Sequence, residues 1–140
     1  MSNGSNLSSW NYSSWGLTIL RVVVGVVFLM HGWQKLFVMH VSGVGGFLGH
    51  LGVPAPALAA WVLTLVEFLG GAALILGLFA RWAAWLLAID MVMAMLLVHF
   101  KNGFFYPGVE FALTLLAANL ALALTGPGAV SVDGMLAKKG

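Results

Sequence analysis

Long apolar runs separated by short clusters of glycine, proline and polar residues divide the chain into four segments. The runs cover residues 15–38, 57–79, 82–100 and 108–124. A membrane-crossing helix needs about 20 predominantly apolar residues, and each run meets or nearly meets that length. The punctuation between them is dense in breakers. Gly43, Gly45, Gly46, Gly49, Gly52, Pro54 and Pro56 fill the first connection. Ala80-Arg81 reads as a tight hairpin, Asn102-Gly103 with Pro107 as a third loop, and Gly126-Pro127-Gly128 as the stop of the last helix. Short connections make consecutive helices antiparallel neighbours. The pattern therefore predicts an all-α integral membrane protein, an up-down bundle of four transmembrane helices over residues 15–126. A polar N-terminal tail (1–14) and a short C-terminal tail (127–140) flank it. Within the first loop, GGFLGHLG (45–52) predicts a short helix lying on the membrane surface.

Composition supports lipid as the solvent. The chain of 140 residues is 61% hydrophobic and 7% charged, with mean hydropathy +1.02; soluble proteins carry about a quarter charged residues. No basic patch is large enough to neutralise a run of phosphates, which argues against nucleic acid as a partner. The chain has no cysteine, which excludes disulfides, thiolate catalysis and cysteine-ligated iron–sulfur clusters. The start has no basic region ahead of its first apolar run, so the first span is expected to remain in the mature protein. Asn3, Asn6 and Asn11 head Asn-x-Ser sequons that read as an ordinary polar tail. Arg81, Lys138 and Lys139 gather on the side of the termini, against Lys35 and Lys101 opposite. By the positive-inside rule both termini are cytoplasmic. Trp10, Trp15, Trp82 and Trp85 fall near that side, and Trp33, Phe104, Phe105 and Tyr106 near the other, as interfacial rings do. Gly70, Gly71 and Gly77, the trio Ala80, Ala84 and Ala88, and the pair Ala117 and Ala121 offer surfaces for close helix contact.

The informative residues are the ionisable ones inside the runs, because a charge near the bilayer centre costs at least about 2.5–3.5 kcal/mol. Arg21, Phe28, His31 and Lys35 fall on one stripe of the first helix, with Gly25 and Gly32 beside it. Glu67 shares a stripe with Gly70, Gly71 and Leu74. At 1.5 Å per residue, Arg21 and Asp90 lie about 9 and about 12 Å in from the terminal side, which makes them a candidate ion pair that sets helix register. Glu67 lies about 15 Å from the opposite face, at a depth matched by His31 and the arm of Lys35. His99 and Glu110 flank the third loop and close this outer group. Asp90 and His99 are nine residues apart, hence on opposite helix faces, and are not expected to serve one site. His40 and His50 read as interfacial loop residues. Met91, Met93 and Met95 point in different directions and read as packing rather than a metal path. A depth difference of about 8 Å between His31 and His99 argues against bis-histidine haem, and no spacing motif supports a metal site.

At these residues the chain resembles the DoxX family of bacterial and archaeal membrane proteins. The resemblance runs over about residues 20–132. It is carried by HGxxKLF (His31, Gly32, Lys35, Leu36, Phe37), by VExxGGxxLxLGLxxR (Glu67, Gly70, Gly71, Gly77, Arg81), and by His99 with Asn102-Gly103. The family's name comes from subunits linked to thiosulfate:quinone oxidoreduction, so the resemblance implies a membrane partner of a redox enzyme. It implies a quinone headgroup bound by His31, Lys35, Glu67, His99, Asn102 and Glu110. In that picture His31 and His99 meet the carbonyls, Lys35 stabilises negative charge, and Glu67 or Glu110 relays a proton. Glu67, His31 and Lys35 are the candidates for chemistry. The chain carries no flavin, dinucleotide or iron–sulfur motif, so electrons would come from a partner subunit or another bound molecule. The competing readings are a non-catalytic structural or assembly subunit, packed against other membrane proteins or its own copies, and a small transporter or lipid-binding protein. Asp90 is not part of the family pattern.

Overall fold

The computed structural model describes the backbone from Leu7 to Gly140 and side chains from Tyr12 onward. Residues 1–6, with the Asn3 and Asn6 sequons, lie outside it, as do the side chains of Trp10 and Asn11. Helix α1 (Leu7–Trp33) begins inside the segment read as a tail and continues through a π-helical turn at Gln34–Val38. Helix α2 (His40–His50) is next, then α3 (Pro56–Leu76) and α4 (Ala80–Ala94), which also ends in a π-helical turn, Met95–His99. After a short 3-10 turn come α5 (Val109–Thr125) and the terminal α6 (Val132–Ala137). No strand occurs among the described residues.

Three helical segments are long and apolar enough to cross a membrane: Tyr12–Val38, Pro56–Leu76 and Ala80–Asn102. The fourth apolar helix, Val109–Thr125, is shorter, with 17 residues. At 1.5 Å per residue it reaches about 26 Å, against a hydrocarbon layer about 30 Å thick. It packs in the same core as the other three. Phe28 of α1, Leu74 of α3, Leu87 of α4 and Leu122 of α5 meet there, each almost wholly buried. The outward faces carry large apolar side chains such as Ile19, Leu69, Ile89 and Leu113, as lipid contact requires.

Helices α1 and α3 make the most extensive contact, and glycine is the reason. A Cβ on Gly25 would lie 2.8 Å from the Gly71 carbonyl oxygen, and one on Gly32 would lie 2.5 Å from the Phe68 nitrogen. Here the two backbones touch, the arrangement that drives helix association where lipid removes the hydrophobic incentive. Ala80, Ala84 and Ala88 are buried on α4, matching their expected role. Ala117 and Ala121 do not match it. Ala117 is exposed and Ala121 half-buried, because α5 turns Ala112, Leu115, Asn119 and Leu122 inward instead.

The second connection turns at Gly77–Phe79 rather than at Ala80-Arg81. Gly77 is left-handed (φ 69°), and the Leu78 N–H closes back on the Ala73 carbonyl, so Ala80 already opens α4. Helix α2 is longer than the predicted 45–52 segment. It seats Val44 and Leu48 against Ala60 of α3.

The C-terminal segment folds back over the ends of α1, α3 and α4. The Asp133 carboxylate accepts the free N–H groups of Phe79 (2.8 Å) and Ala80 (2.9 Å), satisfying the start of α4 with a negative charge where the helix dipole favours one. The Asp133 N–H donates to the Gly77 carbonyl at 2.9 Å, and the Ala129 N–H donates to the Thr18 hydroxyl at 2.9 Å.

Candidate functional site

Polar groups gather at the end of the bundle away from the termini, where both π-helical turns lie. A π turn inserts one extra residue and rotates the helix beyond it, a distortion that concentrates at functional sites. Lys35 sits in the turn that ends α1, and His99 closes the turn that ends α4. Between them opens a cavity of about 380 Å³. Its wall is mostly apolar, with Met39, Phe47, Leu63, Met91, Leu97 and Phe111 among the contributors, and its titratable lining residues include His31, Lys35, Glu67 and His99. A larger, shallower groove of about 760 Å³ between α2 and the start of α3 has His40 as its titratable residue. Titratable side chains are therefore concentrated in the smaller cavity.

The Lys35 ammonium donates to a Glu67 carboxylate oxygen and forms an ion pair tying α1 to α3. Glu67 is 4% exposed. Among the described residues no other pair of charged side chains meets in this way.

The two histidines share a hydrogen-bonding pattern. His31 Nδ1 lies 2.8 Å from the Val27 carbonyl oxygen, and His99 Nδ1 lies 2.9 Å from that of Pro107. A carbonyl only accepts, so each Nδ1 carries the proton and donates, leaving Nε2 as an acceptor in the neutral ring. Neutral His31 and His99 can therefore take a hydrogen bond from a hydroxyl. Giving one to a carbonyl, the role suggested by the resemblance, requires the charged imidazolium. The His31 ring also leans on Phe111, centroid to centroid 5.9 Å.

Two expected members of the group are turned elsewhere. Glu110 accepts from the Tyr106 N–H at 2.7 Å, and Asn102 donates to the Val98 carbonyl at 3.4 Å. Both stabilise the third loop, and neither lines the cavity. His50 stands exposed at the end of α2.

The pairing of Arg21 with Asp90 does not form. The Arg21 guanidinium, 2% exposed, donates through Nη2 to the Val130 carbonyl at 2.8 Å and is attracted to Asp133. The returning C-terminal segment supplies both partners. Asp90 instead comes level with Glu67, since the antiparallel α3 and α4 cross where an added Cβ on Gly70 would lie 3.2 Å from Leu87. Depth alone carried this signal. About 12 Å from one face of a layer about 30 Å thick is about 18 Å from the other, close to the depth of Glu67. The separation of Asp90 from His99 onto opposite faces assumed an unbroken α-helix. The π turn at Met95–His99 takes up one residue and turns His99 back towards the side of Asp90 and Glu67. His99 and His31 line one cavity despite their expected difference in depth. Met91 and Met93, expected to point in different directions, both line that cavity. Among the described residues no three His, Asp or Glu converge to hold a metal ion.

The chain has relatives among known proteins. The chain is 35% identical to an uncharacterised protein of Haemophilus influenzae, with 91% of this chain and 96% of that one covered. It is 32% identical to a Bacillus subtilis protein named "Putative oxidoreductase CatD", with 84% of each covered. It is also 32% identical to inner membrane protein YqjF of Escherichia coli, over 89% of this chain and 94% of that one. No solved structure matches. The DoxX family model matches residues 16–100, the stretch that holds His31, Lys35, Glu67, Asp90 and His99. With apolar helices long enough to cross the bilayer more than once and relatives of this kind along nearly its whole length, the chain is a multi-pass membrane protein that belongs to the DoxX family.

Proposed function

We propose that this chain is a bacterial or archaeal inner-membrane subunit of a redox complex and binds a quinone-type ring in the cavity between α1, α3 and α4. The supporting observation is the cavity itself: about 380 Å³, apolar walls, and His31, Lys35, Glu67 and His99 in its titratable lining. That combination of an apolar body and a few convergent polar groups suits a small ring with oxygen substituents. Lys35 supplies a donor for an anionic or carbonyl oxygen, and the Nε2 atoms of His31 and His99 supply acceptors for hydroxyls. The neutral site is accordingly better matched to the dihydroxy, reduced form of such a ring. The inner membrane protein YqjF and the CatD protein, whose name suggests oxidoreduction, fit this reading. In the same reading α5 completes a fourth crossing and both termini face the cytoplasm, where Arg81, Lys138 and Lys139 belong.

The test is ligand retention. The purified protein, incubated with a short-chain hydroquinone, is expected to bind it saturably, and His31→Ala and Glu67→Gln are expected to weaken binding by tenfold or more while the protein still inserts and folds. Unchanged binding in both variants would refute the site. A structural or assembly subunit is the second reading, favoured by the Lys35–Glu67 bridge between α1 and α3. It predicts instead that these variants lower the yield of assembled complex and leave turnover per complex unchanged.

A further inference from the structure

Two carboxyls and one ammonium meet at the base of the cavity. Glu67 lines the cavity, while Asp90, on the wall helix α4 and 8% exposed, does not. Lys35 donates to a Glu67 oxygen. Helices α3 and α4 pack closely where an added Cβ on Gly70 would lie 3.2 Å from Leu87, which brings Glu67 and Asp90, each three residues further on, to one level of this antiparallel pair, and the Asp90 Oδ2 is buried without a hydrogen-bond partner.

The charges on every neighbouring element leave this group unbalanced. From α1 come Lys35 and His31, whose Nδ1 proton is committed to Val27. From α4 comes His99, committed in the same way to Pro107. Glu110 of α5 is turned to Tyr106, and Arg21 is held at Val130 near Asp133. Two adjoining carboxylates against one ammonium would leave a net negative charge in an apolar interior. One proton removes that charge and gives the free Asp90 oxygen region a donor.

We propose that Asp90 and Glu67 form a proton-binding site in which one proton is held between the two carboxyls, Glu67 exchanging it at the cavity wall and Asp90 keeping it behind. The exchange rests on the cavity being a ligand site, as proposed for the quinone-type ring; the bound proton does not. Asp90 is thus a positioning and proton-storing residue rather than one that touches the ligand.

The chain suits a spectroscopic test, because it has only four carboxyl side chains: Glu67, Asp90, Glu110 and Asp133. Glu110 accepts from one backbone N–H and Asp133 from two, and both stand apart from the cavity, so they serve as the controls. Infrared spectra of the purified, ligand-free protein at neutral pH are expected to contain a protonated-carboxyl C=O band that shifts down in D2O. The band is expected to vanish in Asp90→Asn and in Glu67→Gln, and to persist in Glu110→Gln and Asp133→Asn. If Asp90→Asn fails to fold, persistence in the last two variants still assigns the band by elimination, and Asp90→Glu is expected to move it. Absence of the band from the wild type, or its survival in both Asp90→Asn and Glu67→Gln, would overturn the proposal. Failure of hydroquinone to bind would leave the band in place, so the two proposals fail separately.

Discussion

Lys35 reaches Glu67 from a helix turn that is wider than an α-helix, and Glu67 in particular is almost wholly buried. Removing one member of a buried pair leaves the other charge unpaired, which costs about 3–5 kcal/mol. Lys35→Met should therefore lower unfolding stability in detergent by about 3 kcal/mol, since the Lys35 side chain retains 18% exposure. Adding Glu67→Met to Lys35→Met should restore most of that loss, and simple addition of the two single effects would contradict a direct pair. The members of this pair were legible in the sequence, because ionisable residues stand out in an apolar run and their depths follow from helix rise. The partner of Arg21 was not. It is a backbone carbonyl 109 positions away, and a carbonyl has no side-chain signature.

Helix positions were readable from the hydrophobic pattern to within a few residues, but contact faces only in part, at the glycines of the α1–α3 crossing and at Ala80, Ala84 and Ala88 of α4. Gly25, Gly32 and Gly71 lie at the α1–α3 crossing, whereas Gly16 and Gly46 have nothing within 4 Å of an added Cβ. Gly32→Ala and Gly71→Ala should each destabilise the fold by about 1–3 kcal/mol through backbone overlap. Gly16→Ala and Gly46→Ala should stay within about 1 kcal/mol of the wild type or gain slightly from helix propensity. Thermal unfolding followed by circular dichroism ranks the four, and equal effects would mean that backbone contact at the crossing does not set stability. Alanine spacing on α5 misled because small residues face lipid as readily as a neighbouring helix. The two π turns left no periodic mark, since a single added residue rotates a helix face without interrupting the apolar run.

For the whole molecule, the distribution of Arg81, Lys138 and Lys139 against Lys35 and Lys101 predicts how the chain sits in the bilayer. The chain has no cysteine, so single cysteines introduced by Lys101→Cys and Lys138→Cys report topology directly. Position 138 should react with an impermeant thiol reagent only from the cytoplasmic side, and position 101 only from the opposite side. Labelling of both from one side would mean that the number of crossings between them is even. The sequence by itself determined that the chain dissolves in lipid, where its apolar helices run, and which end holds His31, Lys35, Glu67 and His99. Each of these conclusions comes from composition or from distance along a helix axis. Only the tertiary structure decided that Asp90 joins Glu67, that Arg21 belongs to the returning C-terminal segment, and that Asn102 and Glu110 serve a loop. Those outcomes depend on helix rotation and on contacts between distant parts of the chain, and a one-dimensional hydrophobic pattern carries neither.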